Sequence, residues 1–288
     1  MRRIRKRDKN TVMIESDKME DYIEYINTND MVTNVQLNSW YYKETDLKFL
    51  RFCPSITEVN NVDCEITDFT ALYEADHIRA LYSDSPKSEL DLSYMQNLKK
   101  LYIGWNKNVL NLNSCKQLEK VSLSGYRPKS KGVTELAILK NLRELTLVQS
   151  SIEHLEGISN LESLESLNLY YLRNFKKLDE VSTASSSLKG IDIQNCPNIH
   201  SYEGLGALEF LEDLRIDSSR EIPNLSFVKK MKNLNHICLW NTDVGDGDLS
   251  YLEAVRDVTF TEKKYYSHKM KDFQRIAQND LKRNVFRN

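Results

Sequence analysis

Glycine, proline and long apolar runs are scarce in this sequence of 288 residues, which holds only 9 glycines and 5 prolines. No stretch therefore has the composition of a flexible linker or a disordered tract. No apolar run approaches the roughly 18 residues of a membrane-spanning helix. The basic start, MRRIRKRDKN, is followed by TVMIESDKMEDYIEY, which is too charged for the apolar region of a signal peptide. These absences predict a folded cytoplasmic protein with no membrane segment.

Cysteine is equally sparse, and its pattern argues against structural cross-links. The five cysteines are Cys53, Cys64, Cys115, Cys196 and Cys238. Their odd number and the lack of a CxxC pair argue against a disulfide framework and against a zinc site. The sequence also has no GxSxG, no HExxH and no phosphate-binding Walker loop. It therefore predicts no catalytic residue, no cofactor and no metal site.

The net charge of −2 hides an uneven distribution of charge along the chain. Residues 1–9 carry a net +5 and residues 263–288 a net +6, which leaves −13 for the body between them. Lysine and arginine dominate phosphate contacts, so a long acidic body argues against nucleic acid as the partner. The basic ends are interpreted as solvated tails.

A repeated pattern fills the body of the chain. Five segments share apolar residues at positions 1, 4 and 6: LRELTLVQSSI, LESLNLYYLRN, LKGIDIQNCPN, LEDLRIDSSRE and LNHICLWNTDV. The same register gives eleven units, which begin at Val32, Ile56, Ile78, Leu98, Leu118, Leu142, Leu164, Leu188, Leu211, Leu234 and Val255. Position 4 is apolar in all eleven units. A single unit cannot bury these residues alone, so the pattern predicts stacked units whose short strands form a parallel sheet.

These units resemble the leucine-rich repeat family. Stretches such as SSIEHLEGISNLESLESLNL are most similar to the short bacterial repeats of the internalin type. The resemblance implies an α/β fold: a leucine-rich repeat solenoid with a curved parallel sheet of about eleven short strands on its concave face. It also implies an asparagine at position 9, which Asn106 keeps. Plausible substitutes at this position are Cys64, Ser150, Cys196, Ser219 and Thr242.

The two ends of such an array need covers, since the end units would otherwise expose their leucines to water. We predict a basic N-terminal segment with a capping helix over residues 1–31, the solenoid over residues 32–263, and a capping helix with a basic tail over residues 264–288. The first helix is predicted from an apolar stripe of Met19, Tyr22, Ile23 and Ile26. The last is predicted from Met270, Phe273, Ala277 and Leu281.

Large aromatic residues stand where the strands are expected to face water. Positions 3, 5, 7 and 8 surround the inward leucines and project from the open strand face, which lines the concave surface in the leucine-rich repeat family. The aromatic residues at these positions are Tyr82, Tyr102, Trp105, Tyr170, Tyr171 and Trp240. Exposed aromatic rings dominate protein interfaces, so these six are the candidate partner-binding residues. The alternative for Tyr170 and Tyr171 is a structural role, in which they pack against neighbouring loops.

Interspersed charges on the same face supply a selective rim. They are Lys100 and Lys120 in the early units and Asp192, Asp213, Arg215 and Asp217 in the later ones. We therefore predict a non-enzymatic protein-binding module of bacterial type, with a protein partner on the concave face. The alternative is an immunity-like inhibitor that occludes a toxin or an enzyme.

A hydrolase that uses Cys238 or surface carboxylates is the third function considered. Cys238 is expected to face outward from the core, and His236 lies two residues earlier on the same strand face. A nucleophile also needs a base held by an orienting partner, and no third member is evident in the sequence. Cys238 is therefore interpreted as a bystander thiol on the binding face.

Overall fold

The computed structural model of the protein describes residues 4–184 and 187–273. The chain divides into two compact units, Met1–Tyr126 and Arg127–Asn288, and each is described by itself. The predicted division into two caps and one solenoid over residues 32–263 stays a prediction. Ala277 and Leu281, which were assigned to the C-terminal capping helix, lie outside the described residues.

The first unit is a stack of short strands joined by return segments. Its strands are β1 (Thr11–Met13), β2 (Asn34–Asn38), β3 (Glu58–Val62), β4 (Ala80–Ser83), β5 (Leu90–Asp91), β6 (Lys100–Gly104), β7 (Val109–Leu110) and β8 (Lys120–Ser124). Its helices are α1 (Met19–Asn27) and α2 (Thr70–Glu74), with 3-10 helices at Ser16–Lys18, Lys48–Phe52, Leu92–Tyr94 and Leu112–Ser114. The parallel sheet has the order β1-β2-β3-β4-β6-β8, and β5 pairs with β7 in the return segments.

The second unit repeats the arrangement with longer returns. Its strands are β9 (Glu144–Val148), β10 (Ser166–Tyr170), β11 (Gly190–Gln194), β12 (Asp213–Asp217), β13 (His236–Leu239) and β14 (Asp257–Phe260). Its 3-10 helices are Thr134–Leu136, Ile158–Asn160, Asp179–Thr183, Glu203–Ala207, Ser226–Lys230 and Ser250–Leu252. The six strands are parallel and follow each other in chain order.

The register of the strands places equivalent residues side by side. Leu167 of β10 pairs with Leu145 of β9 and with Ile191 of β11, and these three side chains are at most 2% exposed. Successive residues of a strand point to opposite faces, so positions 4 and 6 fill the core. The predicted leucine-rich repeat fold with a parallel sheet is thereby confirmed.

The described residues of the two units contain twelve strands of this kind, one more than the eleven repeats. The additional strand is β1, which pairs with β2 in parallel through Val12 and Val35. It lies in the segment for which the sequence predicted only a helix and basic residues. A strand at this place covers the unpaired edge of β2, which would otherwise offer its backbone groups to another chain.

Position 9 carries the hydrogen bonds that the resemblance implies, in some repeats. Asn106 donates from Nδ2 to the carbonyl of Pro86 at 2.7 Å. In the second unit the backbone N–H of Cys196 donates to Ser219 Oγ, and that of Ser219 donates to Thr242 Oγ1, each at 3.2 Å. These side chains satisfy backbone groups inside the turn after each strand.

The N-terminal helix α1 packs its apolar stripe onto the first repeats. Tyr22 and Ile26 are fully buried. The hydroxyl of Tyr22 donates to Glu15 at 3.3 Å, and Glu15 also binds Lys18 and, at 3.0 Å, Arg5. The hydrogen bond from Lys18, followed by that from Arg5, lowers the pKa of Glu15 despite its burial.

At the other end, the residues after β14 fold back over the last repeat. Met270 to Phe273 are helical, and Phe273 is 6% exposed with its ring 5.8 Å from that of Phe260 in β14. Ser267 Oγ accepts a hydrogen bond from the N–H of Leu249 at 2.9 Å and lies 2.8 Å from His268 Nδ1. This contact with the last return segment fixes the path of the chain into the helix.

Candidate interaction surface

In-register stacking turns the outward residues of the repeats into continuous rows. Positions 3, 5 and 7 of each strand lie opposite the buried position-4 row, because side chains alternate along a strand. Two surfaces are defined by these rows together with the position-8 residue that follows each strand. The first outward face consists of positions 3, 5, 7 and 8 of the repeats that contain β3, β4, β6 and β8. The second outward face consists of the same positions of the repeats that contain β9 to β14. The six predicted aromatic residues divide equally between the two faces.

Tyr82 and Tyr102 lie next to each other on the first outward face. They are register partners on β4 and β6, and their rings stack with centroids 4.5 Å apart and planes 10° apart. The spacing of neighbouring strands is about 4.8 Å, which matches the separation of the ring centroids in a stacked pair. Each ring therefore covers one face of the other, and both residues are half-buried.

Trp105 lies beyond the end of β6 and packs within its own unit. Its ring meets that of Tyr126 edge to face, with centroids 5.2 Å apart and planes at 85°. Tyr126 is only 3% exposed, so it holds Trp105 against the protein, and Trp105 is half-buried. Packing of this kind gives Trp105 a structural role in addition to the predicted contact role.

Tyr170 ends β10 on the second outward face and reaches across to the next strand. Its hydroxyl donates to Asp192 Oδ2 at 3.0 Å, and Gln194 Nε2 donates to the same carboxylate at 3.0 Å. Burial, and next the negative charge of Asp192, raises the pKa of Tyr170 to about 12. The hydroxyl therefore remains protonated at neutral pH and fixes the orientation of the ring.

Tyr171 is the most unusual residue of the second outward face. Its φ is 58°, in the left-handed region, and its side chain is 51% exposed. The other non-glycine residues with a positive φ at position 8 are Asp63, Gln149, Asn195, Ser218 and Asn241. Asparagine and aspartate are enriched in this conformation, whereas a bulky side chain is an outlier there.

The left-handed turn at position 8 follows from the backbone hydrogen bonds of the sheet. The N–H of Tyr171 donates to the carbonyl of Gln194 at 2.8 Å, and that of Asn195 donates to Asp217 at 3.0 Å. Each strand is thereby tied to the last residue of the next one before the chain turns away. The small polar residues at position 8 were a sequence signal for this turn, and Tyr171 departs from it.

Trp240 follows β13 at position 7 and is 48% exposed. Its carbonyl accepts the N–H of Ser218 at 2.9 Å, which places it beside the end of β12, where Asp217 lies. Tyr171 and Trp240 are the two strongly exposed aromatic side chains among the six predicted residues. They are three repeats apart in the same unit.

The charges of the two faces differ. The first outward face carries the register partners Lys100 and Lys120 together with Glu58, Asp63 and Asp84. The second outward face is more acidic, with Arg215 as the cation of its position-5 row; its carboxylates are Glu144, Asp192, Asp213, Asp217, Asp257 and Glu262. The rim predicted from the sequence included Asp192, Asp213 and Asp217 but not Asp257. His236 lies between Asp213 and Asp257 in the register and contacts Asp213 Oδ2 through Nδ1 at 2.9 Å.

Cys238 corrects one expectation from the sequence. It occupies an outward position, but it is only 4% exposed. Its register partners are Arg215 and Thr259 on the two neighbouring strands. Burial raises the pKa of Cys238, although the nearby Arg215 opposes this effect. The thiol is therefore a covered, protonated group rather than an exposed one. His236, its suggested base, contacts Asp213, so the orienting partner that the sequence did not reveal is present.

Residues 4–184 and 187–273 contain no group of three or more histidine, cysteine, aspartate or glutamate side chains placed to hold a metal ion. None of the helices in these residues has the length and apolar composition that a bilayer crossing requires.

No family model and no curated protein matches this sequence. Solved structures do match it in fold. An internalin, InlF, of Listeria monocytogenes shares 18% identity, with a TM-score of 0.55 over 89% of this chain and 83% of that one. A leucine-rich repeat protein of Leptospira interrogans shares 18% identity, with a TM-score of 0.59 over 81% of this chain and 63% of that one.

A third match is the TLR13 chain of a TLR13–ssRNA13 complex, with 17% identity and a TM-score of 0.56 over 86% of this chain and 38% of that one. At these identities the likeness concerns the fold alone. The protein has a leucine-rich repeat fold like that of bacterial internalins, as the resemblance of its repeats implied.

Proposed function

We propose that this protein is a non-enzymatic, cytoplasmic binding module that captures a protein partner on the outward faces of its repeats. Tyr171 and Trp240 are the anchors on the second outward face. Tyr82, Tyr102, Trp105 and Tyr170 add contact area whose rings are already fixed by neighbours. Exposed tyrosine and tryptophan are the residue types most enriched at the centres of protein interfaces.

The conformation of Tyr171 is the observation that carries the proposal. A left-handed backbone costs an L-amino acid roughly 1–2 kcal/mol, and asparagine or glycine reduces that cost. In the free chain the Tyr171 ring gains little burial in return, because half of its surface meets water. The sheet requires the left-handed turn but not a tyrosine in it, and a strained residue of this kind points to a function outside the fold. A partner that covers the ring supplies the missing compensation.

Trp240 supports the same conclusion, because a large exposed ring lowers solubility unless a partner covers it. About half of its surface is exposed on the same unit, and a large exposed ring on a strand face contributes little to the core while it favours association. Both rings lie outside the buried rows that the leucines and isoleucines fill. A role in partner binding accounts for both positions at once.

The surroundings of Cys238 favour binding over hydrolysis. The attacking species of a cysteine hydrolase is the thiolate, held near an oriented base. Here the thiol is only 4% exposed and burial raises its pKa, which disfavours the thiolate although Asp213 contacts His236 Nδ1.

Affinity capture from the native cell tests the proposal. The full-length protein is used as bait beside the double variant Tyr171→Asn, Trp240→Ala. We expect the wild type to retain a stoichiometric protein and the double variant to lose it. Removing a central anchor costs about 2 kcal/mol or more, so the affinity for the purified partner should fall at least thirtyfold, as measured by calorimetry.

Phe210→Ala is the matched control. Phe210 is 53% exposed and lies in the second unit, just before β12 rather than on the outward face. This variant should bind the partner as the wild type does. Equal losses in the control and the double variant, or equal binding by all three, would contradict the proposal. If the captured protein is a toxin or an enzyme whose activity falls on binding, the module acts as an immunity-like inhibitor.

A further inference from the structure

The second outward face concentrates carboxylates that form no salt bridge with a lysine or an arginine of the described residues. Other carboxylates of the same unit do pair with a lysine or an arginine of the neighbouring repeat. Arg143 binds Glu165 at 2.8 Å, and Lys189 reaches Glu212 at 3.8 Å. These pairs lie at position 2, one residue before the strands of the second outward face begin.

The four aspartates of this face have no such partner. In the described part of the chain, no lysine or arginine forms a salt bridge with Asp192, Asp213, Asp217 or Asp257. Three of them have other polar contacts. Tyr170 and Gln194 donate to Asp192, the Ser218 hydroxyl donates to Asp217 at 2.7 Å, and His236 Nδ1 lies 2.9 Å from Asp213 Oδ2. These four carboxylates therefore carry negative charge that no lysine or arginine of the described residues neutralises through a salt bridge.

Two aromatic residues of this face have an aspartate as their neighbour in the adjacent strand. Trp240 is next to the end of β12, where Asp217 lies, and Tyr170 contacts Asp192 directly. A guanidinium binds a carboxylate through two hydrogen bonds and also stacks on an aromatic face. The combination of exposed ring and unpaired carboxylate therefore suits arginine, and to a lesser degree lysine, on a partner.

We infer that the second outward face binds a basic segment of a partner protein, with arginines seated between Trp240 and the carboxylates of Asp217, Asp213 and Asp257. The inference rests on the proposed function and names the chemistry of its partner. β12 and β14 are two strand spacings apart, or about 10 Å. An extended segment advances about 3.3 Å per residue, so basic residues three apart would meet both strands.

The test uses a defined probe, a fluorescent peptide of about twelve residues with arginine at every third position and serine and glycine between. Its binding to the full-length protein is followed by fluorescence anisotropy at about 50 mM salt, where exposed charges are weakly screened. The variant Asp213→Asn, Asp217→Asn removes two charges of the face. We expect it to bind the peptide at least about tenfold more weakly, the usual effect of losing strong charged contacts.

Glu165→Gln, Glu212→Gln is the matched control, since it removes the same net charge from the same unit at carboxylates that are already paired. It should change the affinity by less than about twofold, because the unpaired carboxylates remain in place. Unchanged melting temperatures show that both double variants fold. Equal losses of affinity in the two variants would show that the peptide is held by nonspecific electrostatic attraction, and would overturn the inference. A wild type with no affinity for the peptide would also overturn it.

The basic C-terminal residues of the chain are the competing occupant. A full-length variant with Arg275, Lys282, Arg283 and Arg287 changed to glutamine distinguishes them. Tighter peptide binding by this variant, by about tenfold or more, would assign the face to the chain's own tail and overturn the partner inference. If a captured partner requires Tyr171 and Trp240 but not the aspartates, the inference of a basic segment is wrong, and the proposed function still holds.

Discussion

The two units have the same inward rows and different outward faces. Leu101 in the first unit and Leu167 in the second both lie at position 4 and are both fully buried. Outward, the first unit stacks Tyr82 on Tyr102, whereas the second exposes Tyr171 and Trp240 among aspartates. The repeat thus fixes the core and leaves the outward positions free to differ. Evidence for function must therefore come from the outward residues.

The largest expected effect tests the shared core. Leu167→Ala and Leu101→Ala should each lower the free energy of unfolding by about 2–5 kcal/mol, because each removes a fully buried side chain and leaves a cavity. Urea titrations followed by circular dichroism measure the effect. If one variant loses unfolding free energy and the other stays near the wild-type value, the inward rows of the two units are not equivalent. The statement that the two units have the same inward rows would then be wrong.

Phe273→Ala tests whether the C-terminal residues belong to the fold of the second unit. Phe273 packs against Phe260 with the ring centroids 5.8 Å apart, so its truncation should cost about 3 kcal/mol of unfolding free energy. The matched control is Tyr265→Ala, at a side chain that is 54% exposed. A change within about 0.5 kcal/mol for Phe273→Ala would mean that the residues after β14 do not cover the last repeat.

The stacked tyrosines of the first unit test whether its aromatic rings are structural. We expect Tyr82→Ala, Tyr102→Ala and the double variant to give a coupling free energy of about 1 kcal/mol, the usual value for a stacked aromatic pair. Thermal unfolding of the four proteins measures it. Coupling near zero would mean that the rings are as independent as Tyr171 and Trp240, and the contrast between the two faces would disappear.

The inward rows could be predicted from the sequence because burial follows strand alternation, and one apolar residue at position 4 of every repeat fixes the register. The sheet follows from the same periodicity, and the capping helices stay a prediction from their apolar stripes. The contacts that a side chain makes with neighbouring strands do not follow from this periodicity. Cys238 was expected to be exposed because alternation sets the direction of a side chain, not what covers it. The bond from Tyr170 to Asp192 depends on which residues two repeats place in neighbouring rows.

Strand β1 and residue Tyr171 show two further limits of the sequence reading. The segment of β1 carries no repeat, so its pairing with β2 depends on the edge that the array leaves open. Asparagine, aspartate, serine and glycine recur at position 8 of the repeats. This pattern indicates the left-handed turn, but only once the strand ends are known. Tyr171 was selected for its exposed ring, and its strain came from the backbone.

Tyr171→Asn should make the second unit more stable. Asparagine tolerates the left-handed conformation better than tyrosine, so we expect a gain of about 0.5–1 kcal/mol in the free energy of unfolding. The reverse change at the equivalent position of the next repeat, Asn195→Tyr, should cost a similar amount, since Asn195 has a φ of 55°. A loss of stability in Tyr171→Asn would show that the ring serves the fold, and the main argument for partner binding would fail.

The smallest expected effect concerns alkaline pH and the hydroxyl of Tyr170. Its pKa is raised to about 12 in the folded protein, by burial first and then by Asp192, while an unfolded tyrosine titrates near about 10. Above pH about 10 the unfolded state therefore loses a proton that the folded state keeps, and stability falls as the pH rises toward 12. Below pH 10 the contribution of the bonded hydroxyl is fully present.

Tyr170→Phe removes this titration and should flatten the decline between pH 10 and 12. Urea midpoints at several pH values in this range measure the difference, and the other tyrosines with raised pKa values, such as Tyr22 at about 12, contribute equally to both proteins. A variant that declines as steeply as the wild type would mean that the hydroxyl is solvated rather than bound to Asp192. Asp192 would then be as open to a cationic partner as Asp257.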